Sequence, residues 1–200
     1  MFTLITSWYH EPDAGRRAEL LYCLARNLEH PLIKKVWLVF DGEPDIPYHP
    51  KIRVRQVGHR ALFKDLIKLG NELQGIVILA NTDIYFDESL AEAQYLKPND
   101  CYALTRWDVT KARGLKFYNK DCSQDAWIYR PKLRGIEGNY CPGKPGCDNR
   151  LAYELTEAGI RVTNPSKTIK ACHLHLTNLR RYSRHETVPE PYLIINPTLL

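Results

Sequence analysis

Residues 76–90 read IVILANTDIYFDESL, and this stretch decides the fold. It opens on an unbroken apolar run, Ile76 to Ala80, closed at once by Asn81, Thr82 and Asp83. So short and apolar a run, stopped by turn-forming residues, reads as a strand buried on both faces of a parallel sheet. Its mouth carries two carboxylates, Asp83 and Asp87. A carboxylate just past a strand end can hold Mg2+ or Mn2+, hard ions that take few protein ligands and complete their shells from substrate phosphates. A turn accounts for the same residues: Asn81 and Asp83 favour turns, and Asp87 is placed to cap a helix starting near Glu88. The stretch alone leaves both readings open.

Upstream, Phe2–Trp8 (FTLITSW) reads as a short buried strand. Asp13 is placed to cap a helix whose apolar stripe is Leu21, Leu24, Ala25 and Leu28, with Pro31 at its end. KKVWLVFDG, residues 34–42, is a second strand ending at Asp41-Gly42, and KIRVRQVG, residues 51–58, a third near a sheet edge. Leu62, Leu66, Leu69 and Leu73 give a second helical stripe. Residues 1–90 thus run β-α-β-β-α-β, which predicts an α/β fold with a mostly parallel central sheet flanked by helices. Ligands of such sheets bind at the carboxyl ends of the strands. That gathers Thr6-Ser7, Asp41 and Asn81-Thr82-Asp83 at one crevice.

The second half is less regular. CYALTRWDV, residues 101–109, reads as one strand and AWIYRP, residues 126–131, as another, with a polar stretch between them. After the loop PGKPGC, Asp148 is a natural N-cap for a helix with Leu151, Leu155 and Ala158 on its apolar side and Gly159 at its end. Residues 160–176, IRVTNPSKTIKACHLHL, supply two more short strands, and the tail is basic, then Pro-rich. No linker divides the chain, so a single domain spanning residues 1–200 is expected.

Composition narrows the class. Two hundred residues, 44% hydrophobic and 26% charged, suit one globular domain with a proper core. The run Met1–Ile5 lacks a basic flank and meets Glu11 early, unlike a signal peptide. No stretch nears the roughly 20 apolar residues of a membrane span. These features predict a cytoplasmic protein, or one peripheral at a membrane surface, with no transmembrane segment. The six cysteines are scattered and read as reduced thiols. A net charge of +5 mildly favours anionic partners.

Several further residues bear chemistry. His173 and His175 are two apart in a strand and so share a face, where two imidazoles can ligate a metal; two half-buried polar positions explain them as well. Cys141, Cys147 and Cys172 lack the close pairs of a zinc finger or ribbon. Asp148, presented to a cleft by its loop, can cap its helix or accept a proton from a substrate hydroxyl. Asp125, just before a strand, can hydrogen-bond a polar substrate. Trp107 and Trp127 can stack on a sugar ring or belong to the core. Arg180, Arg181 and Arg184, with Tyr182, form a basic segment able to fold over a diphosphate or to remain solvated. No GxGxxG, Walker or G-x-S-x-G motif is present.

Taken in order, FTLITSWY, LVFDG, LANTDIYFD, GCDNRLAYELTEAGIRV and CHLH resemble the GT-A-fold glycosyltransferases of the family 2-like group, over roughly Phe2 to Tyr182. LANTDIYFD stands where that family has its D-x-D metal motif, with Asn81 in place of the first Asp and Asp83 at the position that touches metal. Cys147-Asp148 stands in place of the family's Glu-Asp. The resemblance implies sugar transfer from a nucleotide-diphosphate sugar to the hydroxyl of a glycan or other acceptor, with inversion. It implies Mn2+ or Mg2+ on Asp83 with His173 or His175. Thr6, Ser7, Asp41, Asn81 and Thr82 would bind the nucleotide sugar. Asp148 would be the base, Asp125 would orient donor or acceptor, and Arg180 and Arg181 would close over the phosphates. Residues 1–90 become a nucleotide-binding half, 91–182 an acceptor and catalytic half, and 183–200 a tail. No nucleic-acid partner is expected.

Two other readings carry distinct signatures. A nucleotidyltransferase of related architecture would release pyrophosphate, but the segment TSWYHEPDAGRR lacks its Gly-rich basic loop. A non-catalytic module holding sugar or nucleotide is suggested by Asn81.

Overall fold

The computed structural model describes residues 1–42, 45–46, 48–112, 114–179 and 186–200. Its elements run β1 (Phe2–Trp8), α1 (Ala14–Glu29), β2 (Ile33–Phe40), β3 (Ile52–Gln56), α2 (Phe63–Asn71), β4 (Ile76–Ala80) and β5 (Ile84–Phe86). A 3-10 helix (Glu88–Tyr95) leads to β6 (Asp100–Leu104), β7 (Arg106–Val109), β8 (Leu115–Phe117), β9 (Ala126–Tyr129), α3 (Cys147–Glu157), β10 (Arg161–Thr163) and β11 (Ala171–His173).

The central seven-stranded sheet has the order β10-β6-β9-β4-β1-β2-β3. All its pairings are parallel except those of β9, which runs antiparallel to β4 and β6. This is the expected mostly parallel α/β sheet. Alternate residues serve opposite faces: Leu4, Ile76 and Ile78 pack with Leu20, Leu24 and Leu28 of α1. Ile5, Val77 and Leu79 pack with Leu66 and Leu69 of α2 and Leu151 and Leu155 of α3. Two buried faces require apolar residues at successive positions, which is why IVILA is unbroken. Each such aliphatic side chain contributes about 2 kcal/mol on burial. At Gly70 a Cβ would lie 1.9 Å from the Tyr129 hydroxyl, so only glycine lets α2 approach the sheet there.

A smaller sheet, β5-β11-β7-β8, joins the first twice. The chain passes from β4 to β5 through Asn81–Asp83, and from β6 to β7 through Thr105. The expected single strand at residues 101–109 is therefore two strands in two sheets. Asn164 fixes the break: its Oδ1 accepts from Thr105 N at 3.2 Å and its Nδ2 donates to Thr105 Oγ1 at 2.9 Å.

Helix boundaries show two further differences. The stripe of α1 is rotated from the expected one, burying Arg16, Glu19, Leu20, Cys23, Leu24, Asn27 and Leu28. Leu21 is only half-buried and Ala25 is exposed. Asp148 is not the cap of α3. Gly146 is, at φ +79, with the Tyr192 hydroxyl 2.6 Å from where a Cβ would stand. Asp148 sits in the first turn instead. Residues beyond 185 fold back on this helix start: Val188 N donates to Pro145 O at 2.9 Å and Leu193 N to Asn149 O at 3.0 Å. Among the described residues no helix is long and apolar enough to cross a membrane.

Candidate functional site

The turn between β4 and β5 sets Asp83 where the two sheets part. Thr82 Oγ1 donates to Ser7 O at 2.6 Å, tying this turn to the end of β1. Asp87 caps the 3-10 helix, accepting from Ser89 N at 3.0 Å, and so stands apart from the site chemistry.

The registry of β11 brings His173 to Asp83, whereas His175 lies past the end of that strand rather than within it as expected. β11 pairs antiparallel with β5, placing His173 opposite Ile84, next in sequence to Asp83. One ligand atom from each of Asp83, His173 and His175 lies within 4.8 Å of the others, among the described residues the one such group that could hold a metal. The second partners of the imidazoles suit ligation. His173 Nδ1 contacts Asp108 Oδ1 at 2.7 Å, turning Nε2 toward Asp83 Oδ2 at 3.3 Å. His175 Nε2 donates to Leu179 O at 2.9 Å, which makes Nδ1 the acceptor nitrogen of the ring. A carboxylate or carbonyl behind a ligating imidazole fixes its ring and its tautomer. The two nitrogens and one carboxylate fit a divalent first-row ion such as Mn2+ better than Mg2+, which prefers oxygen alone.

The electrostatics follow from these contacts. Burial opposes ionisation of Asp83, but hydrogen bonding and charge from His173 and Arg16 outweigh it and hold the carboxyl well below the usual range. Burial likewise opposes a charged His173, but Asp108 and Asp83 outweigh it and push the imidazole up to about 9. Burial and Arg16 move His175 the other way, favouring its neutral form.

A second group faces this one. Asp125, buried just ahead of β9, accepts from Asn81 Nδ2 at 3.0 Å through Oδ1. Its Oδ2 accepts from Ser123 Oγ at 3.2 Å and from Arg106 Nη1 at 3.3 Å. Arg106 Nε also donates to Asp108 Oδ1 at 2.9 Å, so one guanidinium links the residue behind His173 to Asp125. Asp148, at the start of α3, accepts from Cys147 Sγ at 3.3 Å. Burial first, then the Asp125 carboxylate, pushes Asp148 up to about 8 against the opposing Cys147, Gln124 and Arg106 interactions. A carboxyl so placed takes up a proton near neutral pH.

The other expected site residues divide. Ser7 is half-buried near the end of β1, and its carbonyl holds Thr82. Asp41 is exposed beyond β2. Near these strand ends a recess is lined by Trp8, Tyr9, Arg17, Leu20, Phe40 and Asp45. Thr6 is buried within β1. Trp127 is 2% exposed in the sheet core and offers no ring face to a sugar. Trp107 is half-buried, its ring centroid 5.0 Å from that of Phe117 and its Nε1 donating to Ser166 O at 2.8 Å. Arg180 and Arg181 lie outside the described residues.

Sequence reading missed Arg16, Arg106 and Asp108. Arg16 is 6% exposed and ion-pairs with Asp83 Oδ2. In sequence, Arg16-Arg17 looks like the solvated start of a helix. Arg106 and Asp108 carried a faint signal, since charges two apart in a strand share a face.

No protein-family model matches the chain, and no curated protein matches it in sequence. Solved structures do match. Mannosyltransferase PcManGT from Pyrobaculum calidifontis, in complex with GDP-Man and Mn2+, aligns over 90% of this chain and 58% of its own at TM-score 0.60 and 14% identity. S. aureus TarS 1-349 in complex with UDP-GlcNAc aligns over 92% and 60% at TM-score 0.55 and 15% identity. The chain thus spans about three fifths of each of these transferases. The 4-diphosphocytidyl-2C-methyl-D-erythritol synthase from Anaerococcus prevotii aligns over 92% of this chain and 91% of its own at TM-score 0.54 and 13% identity. At such identities the likeness is one of fold, and the fold is of the GT-A type.

Proposed function

We propose that the chain is a glycosyltransferase that moves a sugar from a nucleotide-diphosphate sugar to an acceptor hydroxyl, with metal assistance and inversion. The observation that carries this reading is the Asp83–His173–His175 cluster at the strand mouths of a GT-A sheet, faced by Asp125 and Asp148. The presence of GDP-Man with Mn2+ and of UDP-GlcNAc in the two transferase structures supports it by analogy. Residues 1–90 form the nucleotide-binding half in this reading, 91–182 the acceptor half and 183–200 the tail.

Asp83, His173 and His175 would hold Mn2+ or Mg2+. A cation held there would supply positive charge against the diphosphate as the glycosidic bond breaks. Ser7, Thr82 and Asp41 border the nucleoside, with the recess at Trp8 and Phe40 for its base. Asp148 accepts the proton of the acceptor hydroxyl as that oxygen bonds to the anomeric carbon and the nucleoside diphosphate departs from the opposite face. Asp125, fixed by Asn81, Ser123 and Arg106, orients a sugar hydroxyl beside it.

The test is a panel of nucleotide sugars assayed for transfer and hydrolysis with and without Mn2+, and titrated by calorimetry. Metal-dependent binding of at least one donor is expected; binding of none ends this reading. The nearly full coverage of the synthase favours a second reading, nucleotidyl transfer. Pyrophosphate release from a nucleoside triphosphate in the same panel would select it.

A further inference from the structure

Asp83 already has a cation of the protein's own. Arg16 leaves the first turn of α1 and turns inward, 6% exposed. Its guanidinium is held in two ways. Nη1 donates to Glu19 Oε2 at 2.8 Å and to Leu174 O at 2.9 Å. Glu19 is itself fixed by Thr177, whose N and Oγ1 donate to its carboxylate at 2.8 and 2.9 Å. These contacts anchor one edge of the guanidinium to the wall. The other edge, Nη2, is spent on Asp83 Oδ2, the oxygen that His173 Nε2 also faces. A divalent cation on Asp83 would meet a positive charge already in place on the same oxygen.

That conflict has a simple resolution. A metal that neutralised Asp83 would free the Nη2 edge, while Nη1 keeps the guanidinium on Glu19 and Leu174. A planar guanidinium with a free edge matches a phosphate oxygen. Resting on the transferase reading above, we propose that Arg16 is an exchange residue of the donor site. In the resting chain it neutralises Asp83; with metal and donor bound it passes to a diphosphate oxygen. Metal and nucleoside diphosphate are then positively coupled through Arg16, because each relieves the cost the other meets.

The test is calorimetric titration of the full chain with Mn2+ alone, and with UDP, GDP, ADP and CDP at saturating Mn2+, for wild type, Arg16→Met and Arg16→Lys. A residue that only braced the fold would not move these affinities in opposite directions. Arg16→Met is expected to bind Mn2+ alone roughly tenfold more tightly and its nucleoside diphosphate roughly tenfold to a hundredfold more weakly. Arg16→Lys keeps the charge without the fork and should lose about tenfold in diphosphate affinity while gaining little for Mn2+. Unchanged diphosphate affinity in both variants, or a joint fall in both affinities, overturns the inference. Should Arg16→Met fail to fold, wild-type diphosphate affinity in Arg16→Lys overturns it. A wild type that binds no nucleoside diphosphate overturns the transferase reading as well; a wild type that binds beside variants that bind equally overturns this inference alone.

Discussion

Asp83 on one wall of the site, the β4–β5 turn, and Asp148 on another, the first turn of α3, are pushed in opposite directions. Burial disfavours the charged form of both. On the Asp83 wall that penalty is outweighed by His173 and Arg16, and the carboxyl stays ionised. On the Asp148 wall burial is reinforced by another carboxylate, Asp125, and the carboxyl is pushed up to about 8. Two carboxyls driven apart by their surroundings are suited to different tasks. The permanently anionic one can hold a cation, and the one poised near neutrality can take a proton. The difference lies in the neighbours: an arginine and a histidine outweigh burial at Asp83, while at Asp148 a carboxylate adds to burial and outweighs Arg106.

The largest expected effect breaks the Asp148 side. Asp148→Asn should lower transfer by roughly three orders of magnitude, the range of a lost general base, while leaving donor binding within about twofold. Single-turnover transfer beside calorimetry separates the two, and a fully active variant removes Asp148 from the chemistry. On the other wall, Asp83→Asn should weaken Mn2+ binding by about a hundredfold. Asp108→Asn, one contact behind His173, should weaken it by about tenfold. Equal effects would mean that Asp108 ligates directly and that the wall has been misread.

The pH profile sharpens the same comparison without a mutation. A base works in its deprotonated form, and Asp148 is pushed up to about 8. Below that value its deprotonated fraction falls about tenfold per pH unit. The kcat/KM for donor, which reports the free protein, should therefore rise with pH toward about 8 and level off above it. A flat profile between pH 6 and 9 would show that Asp148 is ionised throughout and that the two carboxyls do not differ.

How much of this was legible beforehand differs between the walls in the same way. Asp83, Asp125, Asp148, His173 and His175 announce themselves, because a carboxylate at a strand end or helix start is a local pattern. β1, β4 and the helices were readable for the same reason, since a short apolar run and a period of 3.6 are both local. Arg16 was not readable. Its role depends on a helix face meeting a turn 67 residues away, and neither segment records that meeting. Nor was the break at Thr105, which depends on Asn164, 59 residues on. Of the two readings open for Trp127 the structure shows the core, and the sequence could not choose, because an aromatic in a short strand has the same local pattern whether or not other layers cover it.

Asn81 spans the two walls, and the smallest expected effect concerns it. Its Nδ2 donates to Asp125 Oδ1 at 3.0 Å and its backbone N to Asp125 O at 3.0 Å. The residue that departs from the D-x-D pattern is thus the strut between the Asp83 turn and Asp125. An aspartate here would replace a donor with an anion facing Asp125, at a cost of about 1–3 kcal/mol. Asn81→Asp should therefore lower Tm by several °C at pH 7, at about 2–4 °C per kcal/mol for a chain of this size. The deficit should shrink toward pH 4, where the introduced carboxyl takes up a proton and can donate to Asp125. An unchanged Tm with Mn2+ affinity raised more than tenfold would show the reverse, that position 81 belongs to the metal wall. If the deficit appears as expected, the asparagine follows from the Asp125–Asp148 pair: a carboxylate at position 81 would add an anion where Asp125 already pushes Asp148 up.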